Sequence, residues 1–172
     1  MSAPQSALTP DFIFAYRELI LSTIAAESKT TRKVITAVPE VSKDYRPDRL
    51  SRTARELAWH IVYEDVMFLN KIADMKIDMM EAVPAPTTMA EIVHWYEEKF
   101  PPALQRVRDL TPKQLLTPVP FFGFMTEPLF KYLIIVNNHS IHHRGQLASY
   151  IRPAGGKVPS IYGPSADDTG QG

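Results

Sequence analysis

The chain has 172 residues, enough for one compact domain with its own core and too few for two ordinary ones. Apolar residues make up 45% and charged residues 22%, the balance of a globular protein, and nineteen basic residues match nineteen acidic ones. That neutrality argues against a sequence-independent nucleic-acid binder, and the absence of cysteine excludes disulfides, thiolate zinc sites and a catalytic thiol of the chain's own.

The segment MSAPQSALTP lacks the charged start and long apolar core of a targeting sequence. The longest apolar run, Tyr132 to Val136, is too short to span a bilayer. A cytoplasmic protein without membrane contact is the expectation.

Thr9 or Asp11 can cap a first helix, with Pro10 tolerated at its start. Its apolar positions recur as Phe12, Tyr16, Leu19, Thr23 and Ala26, with Ile13, Ile20 and Ile24 alongside, and it ends before Pro39. Residues 39–50 read as a crossing loop. Ser51 or Thr53 caps a second helix that continues to about Asp78, and Glu56 completes a capping box with Thr53. Thr88 and Glu91 form another such box ahead of a third helix, in which Pro101 and Pro102 predict a kink or an early stop. Residues 111–126 are proline-rich and aromatic, suited to a packed loop or a short hairpin. Glu127 and Pro128 open the last helix, which stops at Pro153. The Gly- and Pro-rich tail from Ala154 is expected to be irregular, anchored through Ile161 and Tyr162, with its last few residues disordered. Four long amphipathic helices predict an all-α four-helix bundle, a single domain over 1–172 with an ordered core at about 8–165.

The chemistry concentrates in the last helix. His139 and His143 are four residues apart, one turn apart on one face, and two imidazoles so placed can reach one metal ion. His142 lies three residues from His139 on roughly the same face, so spacing alone leaves 139/142 and 139/143 both open. Tyr132, Ile135, Leu147 and Ile151 continue the stripe, and imidazoles buried there need something to satisfy their nitrogens. His60, in the second helix, is a candidate third ligand. His94 has no partner nearby and is assigned to the surface. Ser140 stands where the general-base glutamate of HExxH would be, so the pattern is not that of a zinc protease. A nitrogen-only set suits zinc, nickel, copper or iron, and three protein ligands leave a position open for water or substrate. Glu64, one turn after His60, is a candidate fourth ligand, catalytic base or orienting partner, although pairing with an arginine is the commoner role for such a carboxylate. Asn138 and Gln146 can orient ligands or substrate. Arg144 is expected in an exposed salt bridge, and Gly145 in a close approach to another backbone or a bulky side chain.

The string NHSIHHRGQL over 138–147, together with His60, resembles the DinB/YfiT-like superfamily of metal-binding bundles, and PSIYGPSADD over 159–168 looks like the end of one DinB subgroup. The resemblance covers nearly the whole chain in element order, and HxxxHRGQ is its most specific part. It implies His60, His139 and His143 as the metal ligands, an up-down-down-up bundle and a homodimer. Phe121 to Phe124 are a candidate dimer contact. It implies zinc or nickel as the metal. It also implies a relation to enzymes that use a small-molecule thiol, among them a mycothiol-dependent isomerase and bacillithiol transferases. The resulting expectation is a metal-dependent enzyme acting on a small molecule, such as a transferase that joins an external thiol to an electrophile, with Glu64 as the base. A hydrolase using bound water and a non-catalytic metal-binding or sensing module are the alternatives.

Overall fold

The computed structural model describes residues 8–79 and 82–168. The tail end expected to be disordered, residues 169–172, lies outside them. Four long helices form the bundle: α1 (Pro10–Thr36), α2 (Ala54–Ala73), α3 (Met89–Arg108) and, after a short α4 (Pro112–Leu115) and a hairpin, α5 (Leu129–Ile151). The hairpin pairs β1 (Pro118–Phe121) with β2 (Met125–Pro128).

Side-chain pairs fix the directions. Trp59 meets Trp95 with rings 4.7 Å apart, and Arg106 meets Asp74 at 2.5 Å, so α2 and α3 run parallel. Tyr16 meets Phe130 and Glu27 meets Arg144, so α1 and α5 also run parallel. Arg32 pairs with Glu97, and Glu18 with Arg108, which sets α3 antiparallel to α1. His60 meets His143, and Phe68 meets His139, which sets α5 antiparallel to α2. The order is up, down, down, up. The core runs between the four helices through Leu21, Ile61, Leu69, Ile92, Val107 and Leu133.

Local chemistry sets the helix ends. Thr9 caps α1 by accepting from Phe12 N. Thr53–Glu56 and Thr88–Glu91 make reciprocal capping boxes at α2 and α3. Helix α2 stops at Ala73 rather than about Asp78. Met75 adopts φ 56°, and the Lys76 and Met75 amides bond back to the carbonyls of Lys71 and Ile72, closing the helix without the glycine that usually marks this turn. Helix α3 does not stop at Pro101 and Pro102. Both rings are exposed, so the carbonyls that lose an amide partner can turn to water. Glu127 belongs to β2, and α5 begins at Leu129 with Pro128 before it.

Two faces differ from the sequence reading. On α1 the buried line is Ile13, Arg17, Leu21, Ile24, Ser28, Thr31 and Ile35, while Phe12, Leu19 and Ala26 face outward. Arg17 can sit in that line because Leu110 O accepts from it and Glu18 balances its charge. The aromatic segment also divides. Phe121 and Phe122 pack on Phe68, and Phe124 projects from the hairpin tip.

The tail is irregular yet tied down. Ile161 packs against the core, and the Tyr162 hydroxyl donates to Glu27 and accepts from Arg144. Arg144 is therefore not in an exposed salt bridge. It is 1% exposed, paired with Glu27 and covered by the Tyr162 ring. The close approach expected at Gly145 falls at Gly156 instead. A Cβ at Gly145 would meet nothing within 4 Å, whereas one at Gly156 would lie 2.7 Å from both Ala37 O and Ile151 Cγ2. Gly156→Ala should therefore cost about 1–3 kcal/mol in denaturant unfolding. Gly145→Ala should gain roughly 0.5–1 kcal/mol, the ordinary penalty of glycine inside a helix.

Candidate metal centre

His60 lies in the second turn of α2, a helix whose start the Thr53 capping box fixes. Leu57, Ala58 and Ile61 around it are buried, which locks that face of α2 onto the bundle. On α5, Val136, Ser140, Arg144 and Leu147 form the buried line, and His139 and His143 stand beside it, facing α2. The ring centroids are 5.0 Å apart for 60–139 and 4.6 Å for both 60–143 and 139–143. One nitrogen from each ring lies within 4.8 Å of the others, so the group could hold a metal ion. His142 is exposed and outside the group, although its ring touches that of His143.

The three rings favour the neutral form that binds metals. Burial lowers the His60 pKa to about 3, reinforced by the Arg52 charge and by the other two imidazoles. Burial lowers His139 to about 4, with His143, His142 and Arg52 adding to it. His143 is lowered as well, mainly by burial, against a hydrogen bond to Gln146 that works the other way.

The partners of these rings fit a shared ion. Gln146 Oε1 accepts from His143 Nδ1 at 3.0 Å, a tautomer that leaves Nε2 with its lone pair. Glu64 Oε1 lies 3.5 Å from His60 Nδ1. The Nδ1 of His139 is buried and has no hydrogen-bond partner among the described residues. Polar atoms are costly to bury unsatisfied, and a cluster of three neutral imidazoles, one with an orphaned nitrogen, has the donor chemistry of a divalent transition-metal site.

Glu64 is partly buried and faces His60 rather than an arginine, and burial raises its pKa despite the nearby Arg52 charge. Asn138 and His94 are exposed and stand outside the group. A pocket of about 600 Å³ opens beside the centre, with Arg49, Arg52, Trp59, His60, Glu64 and Val83 in its wall.

Two features escaped the sequence reading. One is that arginine-bearing pocket. The other is a buried polar network directly behind the histidines. Asp65 Oδ2 accepts from Tyr96 Oη at 2.7 Å and from Ser140 Oγ at 3.0 Å, and Ser140 is the neighbour of His139. Burial pushes Asp65 up to about 7, against those two hydrogen bonds and the Arg144 charge. A carboxyl whose folded pKa is raised stabilises the fold at low pH and loses that contribution as pH rises through the folded value. Asp65→Asn can keep both acceptor bonds without titrating. The stability of the variant relative to the native chain should therefore rise between pH 4.5 and pH 8. Thermal melts across that range check it, and a flat difference would mean that Asp65 does not titrate there.

The DinB family profile matches residues 7–171. The uncharacterized protein YrdA of Bacillus subtilis strain 168 is 26% identical over 144 residues, covering 83% of this chain and 85% of its own. A crystal structure of a DinB-like protein from Bacillus cereus ATCC 10987 superposes with a TM-score of 0.70 at 30% identity, covering 84% of this chain and 97% of that one. The DinB-like protein YjoA of Bacillus subtilis shares the fold, with a TM-score of 0.68 at 23% identity over 85% of this chain and 98% of its own. A match along almost the whole length, with the same architecture in those solved structures, places this chain in the DinB family.

Proposed function

We propose that this protein is a metal-dependent enzyme that joins an external small-molecule thiol to an electrophilic substrate. The observation that carries the reading is the cluster of three half-buried, neutral imidazoles from two helices, set beside a pocket large enough for a small molecule. His60, His139 and His143 would hold zinc or nickel, leaving part of the coordination sphere open. A bound divalent metal would supply Lewis acidity, making a thiol or a water molecule beside it more acidic. Gln146 holds the His143 ring in place, and the α2–α5 packing sets the spacing of all three.

Glu64 is the base in this reading. Its raised pKa makes it a better proton acceptor near neutral pH than an ordinary carboxylate. It takes the thiol proton, the sulfur forms a bond to the electrophilic carbon, and the leaving group departs with its bonding pair. The sulfur must come from a co-substrate, because the chain has no cysteine. The same reading makes the protein a cytoplasmic homodimer, with the exposed Phe124 as part of the contact between copies. No helix among the described residues is long and apolar enough to cross a membrane.

Elemental analysis of protein prepared without a histidine tag tests the centre. About one metal per chain is expected, lost in His60→Ala and His143→Ala and kept in His142→Ala. Metal retained in both triad variants would sink the assignment. Assay of the loaded protein with thiols and an alkylating electrophile tests the reaction. Thiol consumption that falls at least roughly a hundredfold in Glu64→Gln is expected for a proton-transfer role. Turnover of an ester without thiol would favour hydrolysis instead.

A further inference from the structure

Arg46, Arg49, Arg52 and Arg55 recur every third residue along the approach to α2. Arg55 is committed, pairing with Asp44 at 3.2 Å and donating to the carbonyls of Ala85 and Pro86. The other three form no ion pair or hydrogen bond among the described residues, and all three line the 600 Å³ pocket that His60 and Glu64 also line. The two carboxylates of that wall, Glu56 near Arg46 and Glu64 near Arg52, are outnumbered by the three guanidinium groups. Glu56 spends its carboxylate on the Thr53 amide, and Glu64 faces His60. A chain that is neutral overall thus gathers, in one cleft beside the histidines, three guanidinium groups that have no ion-pair partner among the described residues.

The charge is also placed where a cation at the histidines would feel it. Arg52 acts electrostatically on all three imidazoles and on Glu64. A positive group there opposes a bound metal ion unless an anion lies between them. Guanidinium groups match carboxylates and phosphates with paired, charge-assisted hydrogen bonds. Trp59 supplies a fixed apolar surface in the same wall, because Val83 O accepts from its Nε1 at 2.8 Å.

We propose that Arg46, Arg49 and Arg52 form a subsite for the anionic group, carboxylate or phosphate, of the small molecule that reacts beside His60 and Glu64. Anion binding here needs only the arginines; its place in a reaction rests on the function proposed above.

Trp fluorescence or calorimetry on the full chain, with and without zinc, tests the subsite. The probes are mercaptosuccinate, succinate, inorganic phosphate and uncharged 2-mercaptoethanol. Succinate or phosphate should bind the metal-free protein, and mercaptosuccinate should bind far more tightly than 2-mercaptoethanol. Arg49→Gln and Arg52→Gln should each weaken the anionic probes by roughly tenfold. They should leave the melting temperature unchanged, since both side chains are exposed. Preference for succinate identifies a carboxylate ligand, and preference for phosphate identifies a phosphate ester. His60→Ala should still bind succinate, which separates this subsite from the metal centre. Native protein that binds none of the anions, or arginine variants that bind them as well as native protein does, would overturn the proposal.

Discussion

The antiparallel packing of α2 on α5 is the constraint on which the rest of this molecule depends. One imidazole on α2 has little meaning alone, and two on α5 form only half of a cage. Brought face to face, they leave three nitrogens within 4.8 Å of one another inside an apolar bundle. Burial then works in favour of the site. Desolvation holds His60 and His139 neutral far below physiological pH, so no proton competes for the lone pairs there. The capping box at Thr53 and the packed line from Val136 to Leu147 matter to function because they set the registers of the two helices.

Charges are distributed around this neutral cluster in layers. Behind it, Tyr96 and Ser140 both donate to Asp65 Oδ2, with the Asp65 carboxyl raised by burial. Further along α5, Arg144 is buried but balanced by Glu27 and capped by Tyr162 from the tail. A buried ion pair of this kind contributes little net stability, and losing one partner would be costly. Its visible effect is to fasten residues 157–168 to α1 and α5, helped by Lys33 bonding Ser160 O and Arg152 pairing with Asp167. On the open side, Arg46, Arg49 and Arg52 are left without an ion-pair partner among the described residues. Arginines satisfied internally therefore lie on the structural side of the site, and unsatisfied ones line the pocket.

Most of the architecture was legible because its signals are local. Capping boxes at Thr53 and Thr88 sit next to the apolar periodicity they start, and the HxxxH spacing puts two rings on one face whatever the tertiary fold. What resisted reading depends on neighbours distant in sequence. Phe12 and Leu19 look like core positions beside Ile13, but the register of α1 against α3 and α5 buries Ile13 with Arg17 and Ser28 and turns Phe12 and Leu19 outward. Arg144 looks like a surface residue until Glu27, 117 residues away, balances it. Met75 ends α2 in a left-handed conformation that a glycine would have announced. The tight approach at Gly156 comes partly from Ala37, at the end of a different helix, which the sequence around Gly156 does not encode. The arginine pocket did leave a trace, the three-residue period from Arg46 to Arg55. A polar loop composition hid it, and only the fold reveals which of the four arginines lack a partner among the described residues.

X-ray absorption spectroscopy at the metal edge of the zinc-loaded protein tests the central claim most directly, because it counts the imidazoles bound to the ion. Three histidine nitrogens at about 2.0–2.1 Å, with oxygen from solvent completing the shell, is the result predicted for His60, His139 and His143. An edge and scattering pattern with one imidazole or none would place the ion elsewhere and contradict the account.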